Sequence, residues 1–186
     1  MQTKFVQPEN QYAPATDAAD GAFTPDAAAE NGTSNRALVD ALANSRIYRD
    51  YERAFSEMTG LPVALQPVET WQLPHHGKPN ENAFCALVSK KSRACAACLQ
   101  VQERLCQKAA HEADTVVCPA GLCDTAVPVR MSDRLIGFLQ VGQVFKKKPT
   151  EAQFKKVVPL CKKWGLNLSR NALHKAYFSG KVVSPK

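Results

Sequence analysis

The sequence predicts an α+β domain, an antiparallel sheet with flanking helices, and three observations carry that prediction. Short strand and helix signals alternate along the chain instead of falling in separate blocks. Two strand-like runs separated by Ser132-Asp133 form a tight hairpin near the centre. Capped amphipathic segments before and after that hairpin supply helices to cover one face of the sheet.

The elements follow in order. Residues 1–35 are rich in Ala, Asp, Pro, Asn and Gly and carry few large apolar residues, so they predict a disordered leader. Ser34 or Asn35 caps a helix over 35–58, in which Leu38, Val39, Leu42, Ile47, Tyr51, Phe55 and Met58 make one apolar stripe. That helix suits core packing, and a second copy of the chain is the candidate partner for its outer side, giving a homodimer. Gly60 fits the left-handed position that ends the helix. A strand is expected over 61–68, with Pro67 limiting its length or placing it at an edge, and another over 70–73. His75 and His76 sit in a polar loop with Gly77 and Pro79, where exposure is the default. Helices are expected over 83–88 and, capped by Ser92, over 93–113. Strands follow over 115–118, 124–130 and 135–145, with Gly137 and Gly142 marking bulges or close approaches. Thr150 and Gln153 open a further helix that Pro159 should kink or split, and Ser169 caps the last one. Residues 181–186 read as a linker.

The totals set limits. The chain has 186 residues, enough for one domain and a tail. Its apolar fraction of 45% and charged fraction of 22% are ordinary for a soluble globular protein. No signal-peptide core and no run of membrane-spanning length occurs, so a cytoplasmic protein is expected. The net charge of +7 is uneven: residues 1–36 carry two bases and five acids, and lysines cluster at 146–148, 155–156 and 162–163. Few aromatic residues interleave with them, which favours a wet helix face over a nucleic-acid surface.

Three constellations bear on chemistry. Cys95 and Cys98 project from one helix face, and Cys85 and Cys118 are the natural partners for a four-thiol set that could hold zinc or an iron–sulfur cluster. The spacing lacks paired knuckles, so the same cysteines also read as small buried hydrophobes. A thiol nucleophile would need a positioned histidine. Only His111 and His174 lie in plausible helices, and no Cys/His signature is present, so no enzyme is expected. The strand over 135–145 places Gln140 and Gln143 among apolar residues, and a buried amide is costly unless bonded. Gln143 is therefore a candidate ligand contact, joined by Asp124, which starts its strand just after a glycine turn and could accept from a hydroxyl, and by Trp71 as a pocket wall. Phosphate-loop, dinucleotide and hydrolase fingerprints are absent.

Taken together, Phe84-Cys85, Cys95-x2-Cys98, Cys118-x2-Gly121-Leu122, Asp124-x-Ala126-x-Pro128-Val129, Leu135-Ile136-Gly137-Phe138-Leu139 and Gly142-Gln143-x-Phe145 resemble the PocR sensory domain. The version found N-terminal to AraC-type transcription regulators is the most similar, over roughly residues 45–180. The resemblance implies a PAS-like ligand-binding fold over 36–180 that senses a small hydrocarbon derivative such as a diol. It also implies a C-terminal helix-turn-helix domain, absent from this chain, through which DNA would be bound. The cysteines at 85, 95, 98 and 118 match the family's cysteine positions, which implies a shared metal or redox role. A cysteine-based metal or redox sensor is the alternative function.

Overall fold

The computed structural model describes residues 34–68 and 72–184. Ser34 and Asn35, the last residues of the leader expected over 1–35, instead cap and open the first helix. Residues 1–33 of that leader and the ligand candidate Trp71 lie outside the described residues. So does part of the strand expected over 70–73, whose described residues Gln72 and Leu73 are not in a strand.

The first apolar stripe forms two helices, not one. α1 (Asn35–Ala43) begins at Ser34, whose hydroxyl accepts from the Ala37 N–H. Asn44 closes it, its side-chain amide donating to Asp40 O at 2.8 Å. Ser45 then caps α2 (Arg46–Thr59), accepting from the Tyr48 N–H at 3.1 Å. A side-chain cap in mid-stripe satisfies the orphan donors of a new helix and turns the chain there. Gly60 ends α2 in the left-handed region with φ +63, as its position predicts.

Four strands make one sheet: β1 (Val63–Pro67), β2 (Asp114–Val117), β3 (Cys123–Met131) and β4 (Arg134–Val144). Their order is β1-β4-β3-β2 and all pairs are antiparallel. Pro67 closes an edge strand, where its missing N–H costs little. Phe138 and Leu139 are neighbours on β4 and point to opposite faces. Leu139 packs with Val39, Tyr48 and Leu65 beneath α1 and α2. Phe138 packs with Ala126, Leu105 and Ala109 beneath α4 (Ser92–Lys108). Helices thus cover both faces, a correction to the one-face expectation. The cause is legible in β4, which is apolar on both sides.

α3 (Ala83–Val88) falls where expected. α4 starts from Lys91, not a Ser92 cap, and stops well before 113. Ala109 caps its end, and the Arg130 guanidinium donates to Ala110 O at 2.6 Å, tying the exit to the hairpin. The capping box of Thr150 and Gln153 opens α5 (Glu151–Lys163), which runs through Pro159 without splitting. Its lysines at 155, 156, 162 and 163 are exposed, like those at 146–148. With α6 (Arg170–Phe178), α3 and α5 build the largest core at one end of the sheet, around Phe84, Phe145, Phe154 and Tyr177. No described helix is long and apolar enough to cross a membrane.

Two features of the β4 end position the site. Cys123 pairs with Val144 and Asp124 with Gly142, which leaves Gln143 as an extra, bulged residue with φ +60. Two residues on, Phe145 donates to Lys181 O and accepts from the Val183 N–H, each at 2.8 Å. The expected linker is therefore anchored at its described start.

Candidate ligand site

Chemically active side chains from five segments meet at this end of the sheet. Asp124 comes from β3, Cys118 from the turn before it, Cys85 from α3, Cys98 from α4 and His75 from the loop over 72–82. They line one cavity of about 50 Å³, together with Gln143 and Glu81.

Asp124 is buried at the floor, where the register places Gly142 opposite it. A Cβ at Gly142 would lie 2.7 Å from the Asp124 carboxyl carbon and 2.8 Å from its Cα, so only glycine leaves room. The Gln143 N–H donates to Asp124 Oδ1 at 3.0 Å. Burial pushes the carboxyl up to about 6, and that hydrogen bond offsets part of the rise.

Gln143 lines the cavity, and its carbonyl and side-chain oxygens both serve Asn82. Gln143 Oε1 accepts from the Asn82 N–H at 2.7 Å, and Gln143 O accepts from the Asn82 amide at 3.1 Å. Asn82 in turn caps α3, accepting from the Phe84 and Cys85 N–H groups. The bulge on β4 thereby fixes the helix that carries Cys85. A second hollow, of about 240 Å³, lies against Asn82, Gln143, Gly60 and Lys181.

His75 is the residue that sequence reasoning missed. Exposure holds for His76, which pairs with Glu81, but His75 is only 1% exposed. Its two ring nitrogens have no hydrogen-bond partner among the described residues. Nε2 stands 3.9 Å from Asp124 Oδ1, too far for a direct bond. Burial, with Lys78 nearby, lowers its pKa to about 4, so the ring is neutral at neutral pH. A polar, Gly/Pro-containing loop reads as surface, and only long-range packing buries one of its two histidines. The preceding Leu73-Pro74, which also lines the cavity, is the one local signal of that burial.

Burial is also the main effect on the thiols. It raises Cys85 well above the ordinary range, Cys98 to about 12 and Cys118 to about 11. The charge each would carry raises its neighbours further: Cys118, Asp124 and Cys98 act on Cys85, and Cys118 and Asp124 act on Cys98. Cys118 alone has a counter-influence, from backbone N–H groups of Ala120, Leu122 and Gly121. Cys95 is half-buried and does not line the cavity. Among the described residues no group of three or more His, Cys, Asp or Glu side chains is spaced to hold a metal ion. Cys106 accepts from the buried Gln140 amide at 3.4 Å. His111 is exposed, and His174 stacks on Phe178 and bonds Glu151, so neither reaches a cavity thiol.

The His75–Asp124 pair gives a pH signature. Between pH about 4 and 6 the folded pair holds one proton, on Asp124, and the unfolded chain also holds one, on His75, so the pair contributes no net slope. Asp124→Asn leaves His75 alone, a group that only the unfolded chain protonates in that window. Stability should then rise with pH by roughly 2–3 kcal/mol across it. His75→Leu leaves Asp124, which keeps a proton the unfolded chain has lost, and stability should fall over the same window. Denaturant midpoints at three pH values check this, and parallel profiles for all three proteins would refute it.

The family described as the sensory domain found in PocR matches residues 28–186, most of the chain. No curated protein and no solved structure gives a significant match. A sheet with a pocket at its end, cysteine-bearing helices over it and a family match of this extent lead to one conclusion: the chain belongs to the PocR sensory-domain family.

Proposed function

We propose that this domain senses a small, neutral hydrocarbon derivative, a short diol or a relative of it, in the cavity above Asp124. The observation that carries the reading is the cavity itself, where side chains from five segments converge on Asp124. A water position needs about 10–15 Å³, so 50 Å³ accommodates a ligand of roughly three to five non-hydrogen atoms. The lining joins the buried carboxylate of Asp124 and a second carboxylate, Glu81, to thiols, the His75 ring, Gln143 and apolar side chains, surroundings that favour a hydroxyl over an anion.

The site has a route to the chain's exit. Asp124 is bonded to Gln143, Gln143 to Asn82, and the strand continues to Phe145, which pairs with Lys181 and Val183. A ligand at Asp124 biases the bulge at Gln143, and thereby the segment paired with Phe145, through which a C-terminal helix-turn-helix domain of an AraC-type regulator would be controlled. DNA contact belongs to that domain.

Thermal denaturation in propane-1,2-diol, ethane-1,2-diol and glycerol tests the reading. At a hundredfold excess over Kd a native-state ligand adds about 2.7 kcal/mol, or roughly 5–10 °C for a chain of this size. A flat midpoint up to tens of millimolar for all three would sink it.

A second reading, a cysteine-based metal or redox sensor, is favoured by a separate observation. Cys85, Cys98 and Cys118 line the same cavity, and backbone N–H groups around Cys118 support its thiolate. Zinc or an iron–sulfur cluster would need these thiols to close up from their present spacing, with Cys95 turned inward. Native mass spectrometry of the purified chain separates the two readings by the mass of a bound ion.

A further inference from the structure

The His75 backbone carbonyl accepts from the Lys78 N–H, but its ring has no hydrogen-bond partner among the described residues. A side chain that is 1% exposed with two unpartnered ring nitrogens is expensive, since each lost bond to water costs about 1–3 kcal/mol. Proteins keep such groups where something else completes them. The ring lines the cavity, and 3.9 Å from its Nε2 lies Asp124 Oδ1, whose one bond in the fold comes from the Gln143 N–H.

That separation defines what fits. It is too long for a direct hydrogen bond, yet one oxygen about 2.8 Å from each atom spans it, subtending an angle of about 90°. A carbonyl oxygen could accept from the ring but would face the carboxylate lone pairs. A hydroxyl does both: it accepts from the imidazole N–H and donates its own proton to the carboxylate.

We propose that His75 is a ligand contact, and that His75 and Asp124 together bracket a single hydroxyl of the bound molecule. The inference rests on the sensory reading above and assigns its polar recognition. Specificity follows from the buried groups: a ligand lacking the hydroxyl leaves both unpaired, which discriminates far more strongly than a missing methylene.

The test uses the full chain and His75→Leu, a change of similar volume that removes the polar ring. Three results are expected. The ligand-free midpoint rises by about 2–6 °C, because an unmet polar group has been replaced by an apolar one. Affinity for propane-1,2-diol by calorimetry falls at least about tenfold. In the wild type, the His75 ring nitrogens shift in a long-range ¹H–¹⁵N spectrum as propane-1,2-diol is added. Unchanged affinity in His75→Leu would overturn this proposal and leave the sensory reading standing. A wild type that binds none of the diols would overturn both. Ring nitrogens that stay put on titration would show that only a buried water bridges the pair, and a midpoint several degrees lower in His75→Leu would show a satisfied core histidine; either outcome rejects the contact.

Discussion

Gly142→Ala is expected to lower stability by about 3–4 kcal/mol and to abolish the response to diols at the same time. The added methyl has nowhere to go, because the close neighbours are the carboxyl carbon and the Cα of Asp124, on a strand paired to its own. Relief requires β3 and β4 to part where the Gln143 N–H reaches Asp124. The thermal midpoint should drop by roughly 6–15 °C. Gly137→Ala is the control. Its methyl would collide with the Gln66 carbonyl and press on Val39 at 3.1 Å, towards the other end of β4. It should destabilise comparably, yet the folded fraction should keep its diol affinity. Gly77→Ala should cost only about 1 kcal/mol, since its surroundings are open and the strain of φ +74 is the whole effect. A Gly142→Ala protein as stable as the wild type would show that Asp124 does not stand against this strand.

The contrast between these glycines bears on what the sequence reveals. Gly137 and Gly142 are legible as close approaches, because a glycine in an otherwise largely apolar strand run has few other uses. What each glycine makes room for depends on register, and register is a long-range property. The hairpin at Ser132-Asp133, the edge position of Pro67 and the Thr150–Gln153 box are local signals, and each is found in place. The division of the first helix at Ser45 is also local, but the apolar stripe running through it masks the cap. The site is harder to read. Asp124 stands out as a carboxylate in an apolar strand, and three of the four candidate cysteines gather around it. His75 does not stand out, because the polarity of its loop says nothing about the helices and strands that close over it. Gln143 is singled out for its amide, yet its backbone N–H reaches Asp124 while its side-chain oxygen holds α3 through Asn82.

Tyr177→Ala should be the most damaging single truncation away from the cavity. The ring is fully buried and meets Phe84 and Phe145 edge-on, with centroids 5.3 and 5.1 Å away. Its hydroxyl donates to Ala120 O at 2.8 Å, inside the turn that presents Cys118 to the cavity. Removing a buried aromatic side chain costs about 3–5 kcal/mol, so the midpoint should fall by roughly 6–20 °C. Tyr177→Phe separates the two contributions. It keeps the ring contacts and leaves a buried carbonyl unpaired, which costs about 1–2 kcal/mol. Because that carbonyl belongs to the turn over 118–122, the phenylalanine variant should also expose Cys118 to alkylation faster than the wild type at equal folded fraction. Alkylation rates and denaturant midpoints measured on the same samples decide it. Equal Cys118 reactivity in Tyr177→Phe and wild type would mean that Tyr177 supports the helical core alone. The chemistry of the cavity would then be set by the sheet, through Asp124 and the bulge at Gln143, without help from α6.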